Sequence, residues 1–387
     1  MTLNSLESLR EVVCYGIYST KIKTPDNNLW STTNEQTMAD FAGMQAGDNI
    51  YFFHKRKIYG IGELVDVNGS CIHLNFPEAN EPYQIGFHSI KNEKLTPDGN
   101  WTKGESESRW VCTFAPAPYF FKDGIDMDAA LQSNPSAFKM LRAFQQLSFV
   151  KVDDEENQAL KDIILKKNEE HLDGSPTQKI YKDNIDSYHH FIKEKTSSGD
   201  YQFDIQRVME NSIKGNAIKF RREVTLELAL MHKLNTAEEN VARIFGQWDY
   251  ISRQVIASPF KPISWMDKID IFGYKYIKNY RPTLSKYLVC ELKKDSANIS
   301  DVNQLMKYID WVNNEYTFGD YSMIDAFIVA HNFPENVIDY VREKGKRIYT
   351  TKLRDDRFSE EWNNIRLVTY RYDSEIKDIV FGELKMK

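Results

Sequence analysis

The chain has 387 residues, 41% hydrophobic and 13% aromatic, enough apolar material for two or three domains with real cores. Its 50 Lys and Arg stand against 56 Asp and Glu, a net charge of −6, so it lacks the basic balance of a simple nucleic-acid binder and any phosphate contact must come from local basic stripes. Four scattered cysteines without a CxxC argue against a zinc site or disulfide framework, and the absence of a long apolar run or a signal-like start predicts a cytoplasmic protein with no membrane partner.

Residues 1–125 read as a first domain. VVCYGIYS (12–19) alternates as a strand and NEQTMADFAGM follows as a short amphipathic helix. GDNIYFFHKRKIYGIGELVDVNGSCIHLNF then predicts three successive strands, broken at Lys55-Arg56-Lys57 and at the hairpin signal Asn68-Gly69. Further strands are expected over 83–90 and 110–114, so the domain is a small, strongly bent β-barrel.

The run from Phe41 to Glu63, with its Gly47-Asp48 turn, Tyr51-Phe52-Phe53 and Gly60-Ile61-Gly62-Glu63, resembles the EVE and ASCH branches of the PUA-like fold. That resemblance implies a nucleic-acid reader for RNA or for modified or flipped DNA bases, with aromatic side chains stacking on a base. Trp30, Tyr51 and Phe53, with Trp101 and Trp110, are the candidates for the aromatic wall, and Lys55, Arg56 and Lys57 for the backbone contact. Strand alternation buries one of Tyr51 and Phe52.

Residues 126–204 read as a helical connector. FKMLRAFQQLSFVKVDDEENQALKDIILKKNEE is helical on both sides of a break near Ser148 to Asp154, with Asp153 as the expected N-cap. The loop signals 172–178 and 196–200 flank a helix IDSYHHFIKEK. His189 and His190 are adjacent and so point about 100° apart on a helix, which makes a metal pair a poor reading.

Residues 205–387 form the last domain. FRREVTLELALMHKL predicts a helix with Glu223 and Glu227 one turn apart and Arg222 at its start, where it meets phosphate or solvent. A strand carries Asp270, and a second apolar strand delivers Glu291-Leu292-Lys293. Alternation places Glu291 and Lys293 on one face with Leu292 turned into the core. A helix then presents Gln304 and Tyr308 at i, i+4, with Asp301 near its start, and further strands and a helix complete a mixed sheet flanked by helices. Two carboxylates and a lysine converging at strand ends suit Mg²⁺ and phosphodiester hydrolysis.

Asp270, the Glu-x-Lys at 291–293 and the Gln-x-x-x-Tyr at 304–308 resemble the PD-(D/E)XK nuclease superfamily, and residues 205–355 resemble the nuclease domain of mismatch-type endonucleases. The supporting elements are Leu226-Glu227 with Leu230, the strand Arg253-Gln254-Val255, and the apolar run DAFIVAHNF. Ile269 stands where the superfamily name has proline, and the gap to Glu291 is long and basic. The resemblance implies a restriction-endonuclease-like fold, Mg²⁺ or Mn²⁺ as cofactor, DNA as partner and a homodimer. It implies metal positions at Asp270, Glu291 and Leu292, and catalytic roles for Asp270, Glu291, Lys293, Glu227, Gln304 and Tyr308, with Glu227 completing the metal site directly or through water. The expected activity is a DNA endonuclease whose N-terminal domain selects the target, as in a restriction or defence enzyme. A mismatch or branched-DNA repair nuclease and a non-catalytic binder with a nuclease fold are the alternatives, and the intact Asp270, Glu291 and Lys293 argue against the binder.

Overall fold

The computed structural model describes residues 1–3, 5–22, 32–74, 92–95, 101–104, 108–143, 149–198, 203–213, 218–258, 265–352 and 357–385. They divide into two units, Met1–Asp204 and Ile205–Lys387.

The first unit opens on a helix, α1 (Leu6–Tyr15), capped by Ser5, whose side chain accepts the Ser8 N–H. Gly16 ends it in the left-handed region at φ +64°, and a Cβ there would collide with the Phe114 carbonyl. Val12–Tyr15 therefore belongs to this helix and not to the strand expected there, and β1 (Ile17–Ile22) begins only after the cap.

After α2 (Thr32–Ala42) come β2 (Asn49–His54), β3 (Lys57–Leu64), β4 (Ile72–Leu74), the pair β5 (Asn92–Leu95) and β6 (Trp101–Gly104), then β7 (Ser108–Pro116) and β8 (Ile125–Asp126). Lys55 and Arg56, both at positive φ, make the two-residue β2–β3 turn that matches strand twist. The main sheet runs β1-β7-β3-β2, with β4 on β7 and β8 on β3. Among the described residues no pairing joins β1 to β2, so they show a sheet and no closed barrel.

Helices α3 (Met127–Ser133), α4 (Asp154–Lys167), α5 (Thr177–Ile180) and α6 (Lys182–Lys195) belong to the same unit. Asp153 caps α4, its side chain accepting the Glu156 N–H at 2.8 Å. Leu160 and Ile164 of α4 share a core with Ile58 and Ile61 of β3, and Tyr188 and Ile192 of α6 share another with Ile17 and Val111. The helical stretch thus covers the first sheet.

The second unit begins with α7 (Ile205–Asn211), α8 (Glu223–Asn235) and α9 (Glu239–Phe245). There follow β9 (Tyr250–Ile256), β10 (Lys268–Tyr276), β11 (Leu284–Ser296), α10 (Ile299–Val312), β12 (Ile324–Asn332) and α11 (Glu335–Lys344). A hairpin of β13 (Arg347–Lys352) and β14 (Arg357–Trp362), then β15 (Ile365–Asp373) and β16 (Asp378–Glu383), complete it. These make a mixed six-stranded sheet in the order β16-β15-β12-β11-β10-β9, parallel where β12 meets β11 and β15.

Leu226 and Leu230 of α8 and Phe245 of α9 pack with Ile271, Leu288 and Leu292 on one face. Val302, Leu305 and Ile309 of α10 and Val337 of α11 pack with Phe272, Val289 and Ile328 on the other. Burying such a side chain stabilises by roughly 1.5–3 kcal/mol, so the alternation of β11 is fixed from both sides. No helix among the described residues is long and apolar enough to cross a membrane.

Candidate active site

The β10–β11 register pairs Ile271 with Cys290, and continuing it by one residue brings Asp270 across from Glu291. Cys290 and Leu292 point into the core beneath α8, which turns Glu291 and Lys293 towards α10. Asp270 is tied in place from behind, its Oδ2 accepting the main-chain N–H of Leu292 at 2.8 Å. Leu292 therefore reaches the site through its backbone, its side chain being fully buried.

Glu291 is 0% exposed, and its Oε1 accepts from Lys293 Nζ at 2.6 Å. Its Oε2 is buried with no hydrogen-bond partner among the described residues. Lys293 Nζ also lies 3.8 Å from Glu223 and 4.0 Å from Asp301. Burial pushes the Glu291 carboxyl up to about 7, and the attraction of Lys293 does not outweigh it. Asp270 is raised as well, by burial first and then by the charges of Glu291 and Glu227. Burial works against the Lys293 charge, but Glu291 and its neighbours hold its pKa above the ordinary range.

Helix α10 carries the next pair. Asn298 and Asp301 form a capping box, each side chain accepting the other's main-chain N–H, which fixes the first turn beside Lys293. One turn on, Gln304 Nε2 donates to the Tyr308 hydroxyl at 2.7 Å. Burial, with the nearby charges of Glu291 and Asp270, pushes the Tyr308 hydroxyl up to about 12.

From α8, Glu227 reaches the opposite flank of Asp270. Its Oε2 accepts from Arg253 at 2.9 Å in a pair that is almost wholly buried, and its Oε1 accepts from Gln254 Nε2 at 3.0 Å. The same Gln254 nitrogen donates to Oδ1 of Asp270 at 3.0 Å. Glu223, a turn earlier, accepts the Lys294 main-chain N–H at 3.2 Å.

The six catalytic candidates thus gather around the start of β10 and the second half of β11. Sequence reasoning passed over Arg253 and Gln254 as site residues. The signal was the Arg253-Gln254-Val255 strand itself, and nothing in that tripeptide announces that its glutamine will bridge two acids. Asp301 was legible only as a helix start.

A divalent cation fits this donor set. Among the described residues the five carboxyls of Glu223, Glu227, Asp270, Glu291 and Asp301 stand with the cations Arg253 and Lys293, and one buried carboxylate oxygen has no partner. Among the described residues no three His, Cys, Asp or Glu side chains form a ready-made metal cage. A hard divalent cation does not need such a cage, since one or two carboxylates with water suffice to hold it.

The nucleic-acid candidates do not assemble in this way. Trp30 and the stretch 83–90 lie outside the described residues. Tyr51 and Phe53 pack against the core under α4, with the Tyr51 hydroxyl donating to Asn157 Oδ1 at 2.7 Å, while Phe52 is fully buried. Trp110 is 1% exposed and stacks on Phe41 at 5.7 Å. Arg56 pairs with Asp128 at 2.6 Å, Lys55 shares its turn, and Lys57 opens β3. Arg222 is the N-cap residue of α8.

No family model matches the chain, and no curated protein does. A similar solved structure is that of a repair endonuclease from Pyrococcus abyssi. The two are 23% identical over 29% of this chain and 41% of that chain, with a TM-score of 0.19, so the chain spans less than half of that protein's length.

Proposed function

We propose that the chain is a Mg²⁺-dependent DNA endonuclease of the PD-(D/E)XK kind, hydrolysing phosphodiester bonds at Asp270, Glu291 and Lys293. The observation that carries this reading is the buried Oε2 of Glu291, without a partner among the described residues, set across the strands from Asp270 and on the same carboxylate that grips Lys293. Asp270 and Glu291 are the side chains that hold the cation, with the Leu292 main chain beside them. Bound there, Mg²⁺ or Mn²⁺ supplies Lewis-acid stabilisation of the charge that develops on the phosphate. Lys293 orients the attacking water and offsets that same charge, and the Gln304 amide and Tyr308 hydroxyl hydrogen-bond a water or phosphate oxygen nearby.

The first unit, in this reading, selects the DNA that is cut. The experiment is to incubate the purified chain with unmodified and base-modified DNA plus Mg²⁺ and resolve the products on a gel. Cleavage that needs the cation and favours one class of DNA supports both parts of the reading. A folded protein that cuts no DNA with Mg²⁺ or Mn²⁺ removes the nuclease assignment, and equal cutting of every DNA removes the selecting role.

A further inference from the structure

Gln254 sits inside β9, an edge strand, yet its backbone is left-handed at φ +52°. The other described non-glycine residues with positive φ lie in turns or bends, where that conformation is ordinary. The β9–β10 ladder registers the departure: Arg253 pairs with Ile271 and Val255 with Ile269, while Gln254 and Asp270 between them are not paired. A strained residue inside a strand persists only where its surroundings over-determine it, and such residues gather at functional sites.

The surroundings of Gln254 are two acids. Its Nε2 donates to Glu227 Oε1 and to Asp270 Oδ1, 3.0 Å in each case. Glu227 is held from its other oxygen by the buried Arg253, and Asp270 from its other oxygen by the Leu292 N–H. Arg253, Glu227, Gln254 and Asp270 therefore make one continuous chain of hydrogen bonds that ends on a carboxylate assigned above to the cation. Like charges crowd this site, and left to repulsion Asp270 would swing away from Glu291 and Glu227. The amide opposes that by donating to two carboxylates at once without adding charge.

We propose that Gln254 is a positioning residue: anchored on Glu227, its amide fixes the direction in which Asp270 meets a divalent cation. Glu227 acts through Gln254, its Oε2 being held by the buried Arg253 and its Oε1 by the amide. This role rests on reading Asp270 and Glu291 as the cation site.

The test uses the full chain and no DNA, with Mn²⁺ titrated by calorimetry into wild type, Gln254→Asn, Gln254→Gly and Asp270→Asn, and thermal melting followed without metal. Asn and Gly accept the left-handed backbone but cannot bridge the two acids, Asn being one methylene short. Both variants are expected to melt close to wild type and to bind Mn²⁺ about tenfold more weakly or worse, the size typical of lost support to a metal ligand. Should one variant fail to fold, the other carries the test. Wild-type Mn²⁺ affinity in a folded Gln254 variant overturns the positioning role alone. A wild-type chain that takes up no Mn²⁺, or an Asp270→Asn variant that binds it unchanged, removes the site reading and this role with it.

Discussion

Glu291 has three properties that a solvent-facing glutamate at a strand end lacks: no exposure, one oxygen on Lys293 and one oxygen with no partner among the described residues. Leaving a buried acceptor unsatisfied costs about 1–3 kcal/mol, a cost that a bound cation would remove. Glu291→Gln and Asp270→Asn are each expected to abolish Mg²⁺-dependent cleavage while the circular dichroism of the fold stays unchanged; near wild-type cutting by either would sink the assignment. Lys293→Ala should lower turnover strongly and leave Mg²⁺ affinity nearly unaltered, because an ammonium is a donor and not a ligand. Tyr308→Phe should do less, since one hydroxyl is lost. A Lys293→Ala variant whose main defect is Mg²⁺ uptake would contradict that division of labour. Protons compete with the cation as well. Burial raises both Asp270 and Glu291, the latter to about 7, so Mg²⁺ affinity is expected to climb as pH rises through about 7, with protons released on binding. Calorimetry in two buffers of different ionisation heat counts those protons, and no release at neutral pH would go against it. The acid pair and lysine were legible because spacing along strands fixes which side chains share a face. Gln254 was not, because its role depends on a backbone angle that a glutamine almost never announces.

At the scale of the element, α8 and β9 are joined by the buried pair Glu227–Arg253 at 2.9 Å. Removing either side chain breaks this buried pair, so Glu227→Ala or Arg253→Ala should each cost about 3–5 kcal/mol in urea unfolding. A loss no larger than that of a surface substitution would mean that the pair is solvated in solution. Helix α8, strands β10 to β12 and helix α10 were readable because apolar residues recur at clear helical or strand periods. Others were not, two of them for reasons the structure makes plain. VVCYGIYS satisfies a strand pattern, and the choice went the other way because Ser5 and Gly16 cap a helix that runs up to Tyr15. Strand β14, Arg357–Trp362, carries mostly polar residues in a two-stranded hairpin outside the main sheet, so no apolar alternation marks it. Tyr51 and Phe53 show the converse: an aromatic pattern alone does not say whether a ring faces a ligand or, as with α4 here, a helix.

At the scale of the whole molecule, one buried histidine makes the first unit sensitive to acid. His73 on β4 is 1% exposed, and neither ring nitrogen has a hydrogen-bond partner among the described residues. Burial, with His189 nearby, holds its pKa down to about 4 against 6.5 in the unfolded chain. Between those values the unfolded chain takes a proton that the folded one refuses. The stability from His73 is therefore fully present above 6.5 and lost as pH falls towards 4, by up to roughly 3 kcal/mol. His73→Leu should flatten that part of the melting profile, and an unaltered profile would show that the ring is reached by water. Cleavage at the Asp270–Glu291–Lys293 cluster is tested by the conversion of supercoiled plasmid by wild type and Glu291→Gln at equal concentration, with Mg²⁺ and with chelator. Nicked or linear product is expected for wild type with Mg²⁺ only, and none for the variant; cutting by Glu291→Gln at the wild-type rate, or by wild type in chelator, would rule that cluster out as a metal-dependent nuclease site.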